Sequence, residues 1–76
     1  MNKEELGKVA AEVLSISSEK IDFNKDFREM GIDSLYMFSL VDYVETKYNI
    51  TLDLERMIKL KNLNQFYDML IEQQGV

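Results

Sequence analysis

The chain has no cysteine and no histidine in its 76 residues, and these two absences remove most of the chemistry a small protein can perform alone. Without a thiol there is no disulfide, no thiolate nucleophile and no sulfur-built zinc site. Without an imidazole no serine has its usual base, which argues against an enzyme. Proline and tryptophan are also missing and there are only 3 glycines, so structural punctuation must come from caps and from changes of period. No apolar run approaches the roughly 20 residues that span a bilayer. The N-terminus lacks the basic and apolar stretches of a signal peptide, and a cytoplasmic location is expected.

What is present narrows the choice further. Nine basic residues against fourteen acidic ones give a net charge of -5, which repels a phosphate backbone and offers anionic membranes no basic stripe. Nucleic acid is therefore not an expected partner. The length fits one domain, residues 1-76, near the lower limit for burying a core without a staple. Five methionines supply flexible, polarizable side chains, so the interior is expected to be adaptable enough to admit a guest. The chain begins at Met1 and shows no linker at either end, which suggests a free-standing monomer.

Helical periodicity dominates. Asn2 with Glu5 has the spacing of a capping pair, and Leu6, Val9, Ala10, Val13 and Leu14 follow on one face, predicting a helix over about 3-15. From Ser15 to Ile32 that period fails and isolated apolar residues recur among polar ones. So long a connection in a small domain is functional or pinned by its own anchors, for which Ile21 and Phe27 are the candidates. Met37, Leu40, Val41, Val44 and Tyr48 then form a single stripe, predicting a helix from Ser34 to Tyr48 with Asp33 as its N-cap and Gly31 freeing the backbone before it. Asp53 opens a short helix from Leu54 to about Lys59. Asn62 and Gln65 repeat the capping spacing before Leu63, Phe66, Met69 and Leu70, with Gly75 marking the end of this last helix. The expected fold is all-α: a small bundle of three main helices plus one short one.

Gly31-Ile32-Asp33-Ser34-Leu35 is the segment with chemical content. It sets a serine at the mouth of an amphipathic helix, about 60° from the centre of the apolar stripe at 100° per residue. With no base in the chain to activate Ser34, a chemical role must be brought to it, which points to an attachment site. A rival pattern, Asp22-x-Asn24-x-Asp26, has the spacing of the first ligands of a calcium loop. Phe27 stands where that loop needs glycine and Asp33 where it needs glutamate, so no metal site is expected.

Taken together, these features resemble the acyl carrier proteins. Gly31-Ile32-Asp33-Ser34-Leu35 is similar to the family's Gly-x-Asp-Ser-Leu signature, and the likeness extends over residues 2-72, including Ile21, Phe27, Tyr48 and the segment 53-59. The resemblance implies that Ser34, flanked by Asp33 and Leu35, carries a 4'-phosphopantetheine arm derived from coenzyme A. It implies a phosphopantetheinyl transferase as one partner, and an acyl-loading enzyme, synthase or acyltransferase as others. Acyl groups would ride on the arm as thioesters, entering the bundle beside Met37, Val41 and Val44 toward Ile58 and Leu63.

The departures from the family pattern are informative. Many carriers of primary fatty-acid synthesis bear acids just after the signature and along the exposed face of the same helix, where this chain has Tyr36 and Ser39 and keeps Asp42 and Glu45. A partner-reading edge of Tyr36, Ser39, Asp42, Tyr43 and Glu45 is expected, serving a dedicated fatty-acid, polyketide or related pathway. Two alternatives stay open: a carrier of aminoacyl or aryl groups, which shares fold and arm, and a helical adaptor that is never modified. The aspartate before Ser34 favours the acyl branch over the peptidyl one, which commonly has histidine there.

Overall fold

The computed structural model describes residues 2-73. The described residues contain four α-helices, α1 (Lys3–Leu14), α2 (Ser34–Tyr48), α3 (Leu54–Met57) and α4 (Leu63–Gln73), and no strand. Three are sizeable and one is a single turn, as the periodicity predicts. Gly75, the expected end marker of the last helix, lies outside the described residues.

Local chemistry sets the boundaries. Asn2 Oδ1 accepts the Glu5 N–H at 2.8 Å to open α1, but Glu5 does not close a capping box. Its carboxylate instead accepts the Tyr48 hydroxyl at 3.2 Å, joining the first turn of α1 to the last turn of α2. Helix α1 stops at Ser15 and α2 at Asn49, both in the left-handed conformation, with φ of 55° and 54°. Ser15 and Asn49 donate backbone N–H groups to the last carbonyls of their helices, which stand in for the missing C-terminal glycines.

The core is drawn from all four helices. Leu6, Val9, Ala10 and Leu14 of α1 pack with Leu40, Val41 and Val44 of α2, Met57 of α3, and Leu63, Phe66, Met69 and Leu70 of α4. Every apolar position expected on α4 is buried. On α2 the stripe is graded, with Leu40, Val41 and Val44 buried and its ends, Met37 and Tyr48, half-buried.

Two expectations need correction. Helix α3 ends at Met57, with Ile58 as its C-cap, not near Lys59, because the following residues are drawn into the linker to α4. The connection from Ser15 to Ile32 is not wholly irregular: it contains two 3-10 turns, Ser18–Lys20 and Phe27–Met30. Phe27 is a deep anchor as expected, and Ile32 is another. Ile21 is only half-buried against the core's edge. The second turn is opened by Asp26, which accepts the Arg28 N–H at 2.9 Å. It is closed by Gly31 at φ 75°, a conformation that glycine adopts without strain. A Cβ at Gly31 would meet nothing within 4 Å, so backbone angle, not space, requires the glycine.

Candidate functional site

Ser34 is the first residue of α2 and is exposed. Asp33 caps the helix by accepting the Tyr36 N–H at 3.1 Å, which turns its carboxylate into the helix entrance. The first turn of α2 contains no acidic side chain, so the positive end of the helix dipole is opposed only by the cap. Among the described residues no group holds the Ser34 hydroxyl in a hydrogen bond. An exposed hydroxyl at a helix start, where backbone N–H groups beyond the one that Asp33 caps remain unpaired within the helix, is a position that can carry a phosphodiester.

Ser34 also lines a cleft of about 920 Å³ between α2, the second 3-10 turn and the linker that follows α3. Its wall is largely apolar, from Phe27, Ile32, Met37, Phe38, Val41 and Met57. The cleft is half open to solvent, a groove and not an enclosed cavity. Of the residues expected to shelter a guest, Met37, Val41 and Ile58 are on this wall. Val44 and Leu63 are fully buried in the core and lie off the lining.

Sequence reasoning missed Phe38, which is half-exposed at the cleft. Its signal was its place one turn beyond Ser34, the i, i+4 relation that puts two residues on one helix face. It also missed the cationic side of the lining, Arg28, Lys59 and Lys61. Phe38 and Ile58 on the lining, and Leu35 and Leu54 off it, are large apolar residues left exposed, Leu35 and Ile58 by about three quarters.

The expected partner-reading edge is uneven. Tyr36, Ser39 and Asp42 are exposed, and Ser39 turns its hydroxyl back to the Leu35 carbonyl at 3.2 Å. Tyr43 is half-buried against the core, with the Lys47 ammonium 5.7 Å from its ring centre. Glu45 is occupied structurally, since its carboxylate accepts the N–H of buried Leu52 at 2.8 Å. Its carbonyl accepts from Ile50 at 3.1 Å, so Glu45 organises the turn from α2 into α3.

Among the described residues no group of three or more acids forms a metal-ligating cluster. Asp22 and Asp26 are occupied as turn caps for Asn24 and Arg28. No helix among the described residues is long and apolar enough to cross a membrane.

Comparison with known proteins gives a consistent result. The family model for the phosphopantetheine attachment site matches residues 4–70, a stretch that includes Ser34. The chain is 39% identical over 49 residues to an acyl carrier protein homolog of Mycoplasma genitalium, covering 64% of this chain and 58% of that protein. It is 40% identical over 55 residues to an acyl carrier protein homolog of Mycoplasma pneumoniae, covering 68% of this chain and 66% of the relative. The matched stretch thus spans less than two thirds of either relative's length.

Proposed function

This chain belongs to the acyl carrier protein family, a family of carriers and not of enzymes, and from that premise we propose that Ser34 is the attachment point of a 4'-phosphopantetheine arm. Residues 1-76 act as one carrier domain in the cytoplasm, presenting acyl thioesters to the enzymes of a dedicated pathway. The observation that carries this reading is the free Ser34 hydroxyl at the start of α2, on the lining of an apolar cleft.

The neighbouring residues divide the work. Asp33 fixes the helix start by holding the Tyr36 N–H, and the first turn beyond it adds no further acid to repel a phosphate on Ser34. Attachment joins Ser34 Oγ to phosphorus as the pyrophosphate bond of coenzyme A breaks; adenosine 3',5'-bisphosphate leaves and the hydroxyl proton passes to the transferase's base. The arm, when bound, supplies the thiol that the chain lacks. Met37, Phe38, Val41 and Met57 then offer apolar wall to the cargo, at roughly 0.8 kcal/mol for each CH2 removed from water. Tyr36, Ser39 and Asp42 face outward, where synthase, acyltransferase or loading enzyme would read them.

The test is intact mass after expression beside a broad-specificity phosphopantetheinyl transferase. One arm should be added to the wild type and none to Ser34→Ala, which should keep its helical circular dichroism. A wild type left bare by several competent transferases would overturn the proposal in favour of an unmodified adaptor.

A further inference from the structure

Although the chain is acidic overall, the lining of the Ser34 cleft is locally inverted in charge. Arg28, Lys59 and Lys61 stand on it with the acids Asp26 and Asp33, an excess of one positive charge, and each acid is held in place by a backbone N–H. None of the three cations forms an ion pair among the described residues, where the pairs are Lys8 with Glu4 and Arg56 with Glu72. Lys61 is also rooted firmly. Its carbonyl accepts the Phe27 N–H at 2.8 Å and its own N–H donates to Gln65 Oε1 at 2.8 Å. The side chain therefore leaves the wall from a fixed point, two residues beyond Lys59.

A cleft with apolar walls and unpaired cations is matched by a chain that is apolar along its body and anionic at its end. A neutral alkyl chain would use the walls alone. Lysine stems can lie along apolar surface while the ammonium stays wet, so cations can meet such a chain without deep burial. The tether decides what occupies the cleft, because a group carried on Ser34 is held at high effective concentration beside it.

We propose that the cleft is fitted to acyl groups ending in a carboxylate, the half-thioesters of dicarboxylic acids, with Arg28, Lys59 and Lys61 receiving the carboxylate. This rests on the carrier reading of Ser34.

The experiment loads the protein with a transferase from four acyl-coenzyme A thioesters, hexanoyl and octanoyl against adipoyl and suberoyl, and from coenzyme A alone. Loading is read by mass, sequestration by the rate of thioester cleavage with hydroxylamine, and location by NMR shifts of Met57, Ile58 and the lysine side chains. At least one dicarboxylic form should be cleaved several-fold more slowly than its alkyl partner of equal length. The gap should close at high salt, which screens exposed charges, and in Arg28→Gln/Lys59→Gln/Lys61→Gln. The pins of Lys61 are backbone groups, so that variant keeps them, and Lys59→Gln/Lys61→Gln serves as a milder second version.

Equal cleavage of dicarboxylic and alkyl forms overturns the proposal, as does a gap that persists in the charge variants. Cations serving only the arm's phosphate would reveal themselves by a phosphorus shift that the variants move equally in all five forms, which also overturns it. Failure to load at all is a different result, visible in the mass alone, and removes the carrier reading itself.

Discussion

The backbone N–H of Phe27 donates to the carbonyl of Lys61 at 2.8 Å, stitching the long connection before α2 to the linker before α4. Nearby, the Asn64 N–H donates to the Phe23 carbonyl at 3.2 Å and the Asn64 side chain to Asn24 Oδ1 at 2.6 Å. One wall of the Ser34 cleft is therefore fixed through main-chain bonds. On the other side, α3 is a single turn, tied to α4 by the exposed Arg56–Glu72 pair.

Phe27 anchors that stitched wall, with 5% of its surface exposed. Phe27→Ala should cost about 3–5 kcal/mol, a large share of the roughly 5–15 kcal/mol that stabilises a whole domain. Ile21→Ala, at a half-buried position, should cost less than about half as much. Urea midpoints of the two variants check this, and equal losses would mean that Phe27 is not the anchor.

Glu45 gives a sharper separation of structure from recognition. Its carboxylate holds the Leu52 N–H between α2 and α3, and Glu45→Ala removes that bond while keeping the one to the carbonyl, so the variant should destabilise by about 1.5–3 kcal/mol, the range for a hydrogen bond to a charged group. Asp42→Ala, on an exposed position of the same helix, should fall within about 0.5 kcal/mol of the wild type. Thermal unfolding of both variants decides whether Glu45 is only a surface charge.

Tyr48 predicts a loss of stability in alkali. Burial, then its hydrogen bond to Glu5, raises the phenol above its ordinary value of 10.0, so the folded state holds the proton more tightly than the unfolded state. The contribution is fully present below about pH 10 and is lost as pH rises through the raised folded value. The melting temperature of the wild type should therefore fall more steeply above about pH 10 than that of Tyr48→Phe. Parallel profiles would mean that the Glu5–Tyr48 link carries no weight in solution.

The parts legible in the sequence were those written as period and cap. The stripe of α2 and the buried set of α4 could be read directly, because a 3.6-residue repeat reports one buried face. Asp33 and Asn62 could be read as caps because their oxygens reach N–H groups only three residues away. Glu5 and Glu45 were misleading for the same reason: their carboxylates serve Tyr48 and Leu52, and no local spacing reports a partner supplied by tertiary packing. Lys59 and Lys61 carry no local signal of a site, because only the fold brings them onto the lining that Ser34 shares. Helix α3 stops at Met57 and not near Lys59: Ile58, its C-cap, is left about three quarters exposed, so no buried face carries the helix further.

The outer edge of α2 yields the last prediction. Tyr36 and Ser39 are both exposed, and among the described residues the only side-chain hydrogen bond of either is from Ser39 to the carbonyl of Leu35 in its own helix. Neither side chain is needed to hold the bundle, so Tyr36→Asp with Ser39→Glu should leave the fold intact. If that edge is adapted to dedicated partners, the double variant should lose transfer from the native loading enzyme and gain acceptance by generic fatty-acid synthesis enzymes. Both directions must be measured, because specificity is a difference of affinities. Exposed charges are screened, so each change should be worth about 1 kcal/mol or less, roughly five-fold in rate, and smaller still in high salt. Transfer rates unaltered toward both classes of enzyme would make Tyr36 and Ser39 ordinary surface. Partner choice would then fall to other exposed apolar residues, among them Phe38 and Ile58 on the cleft lining.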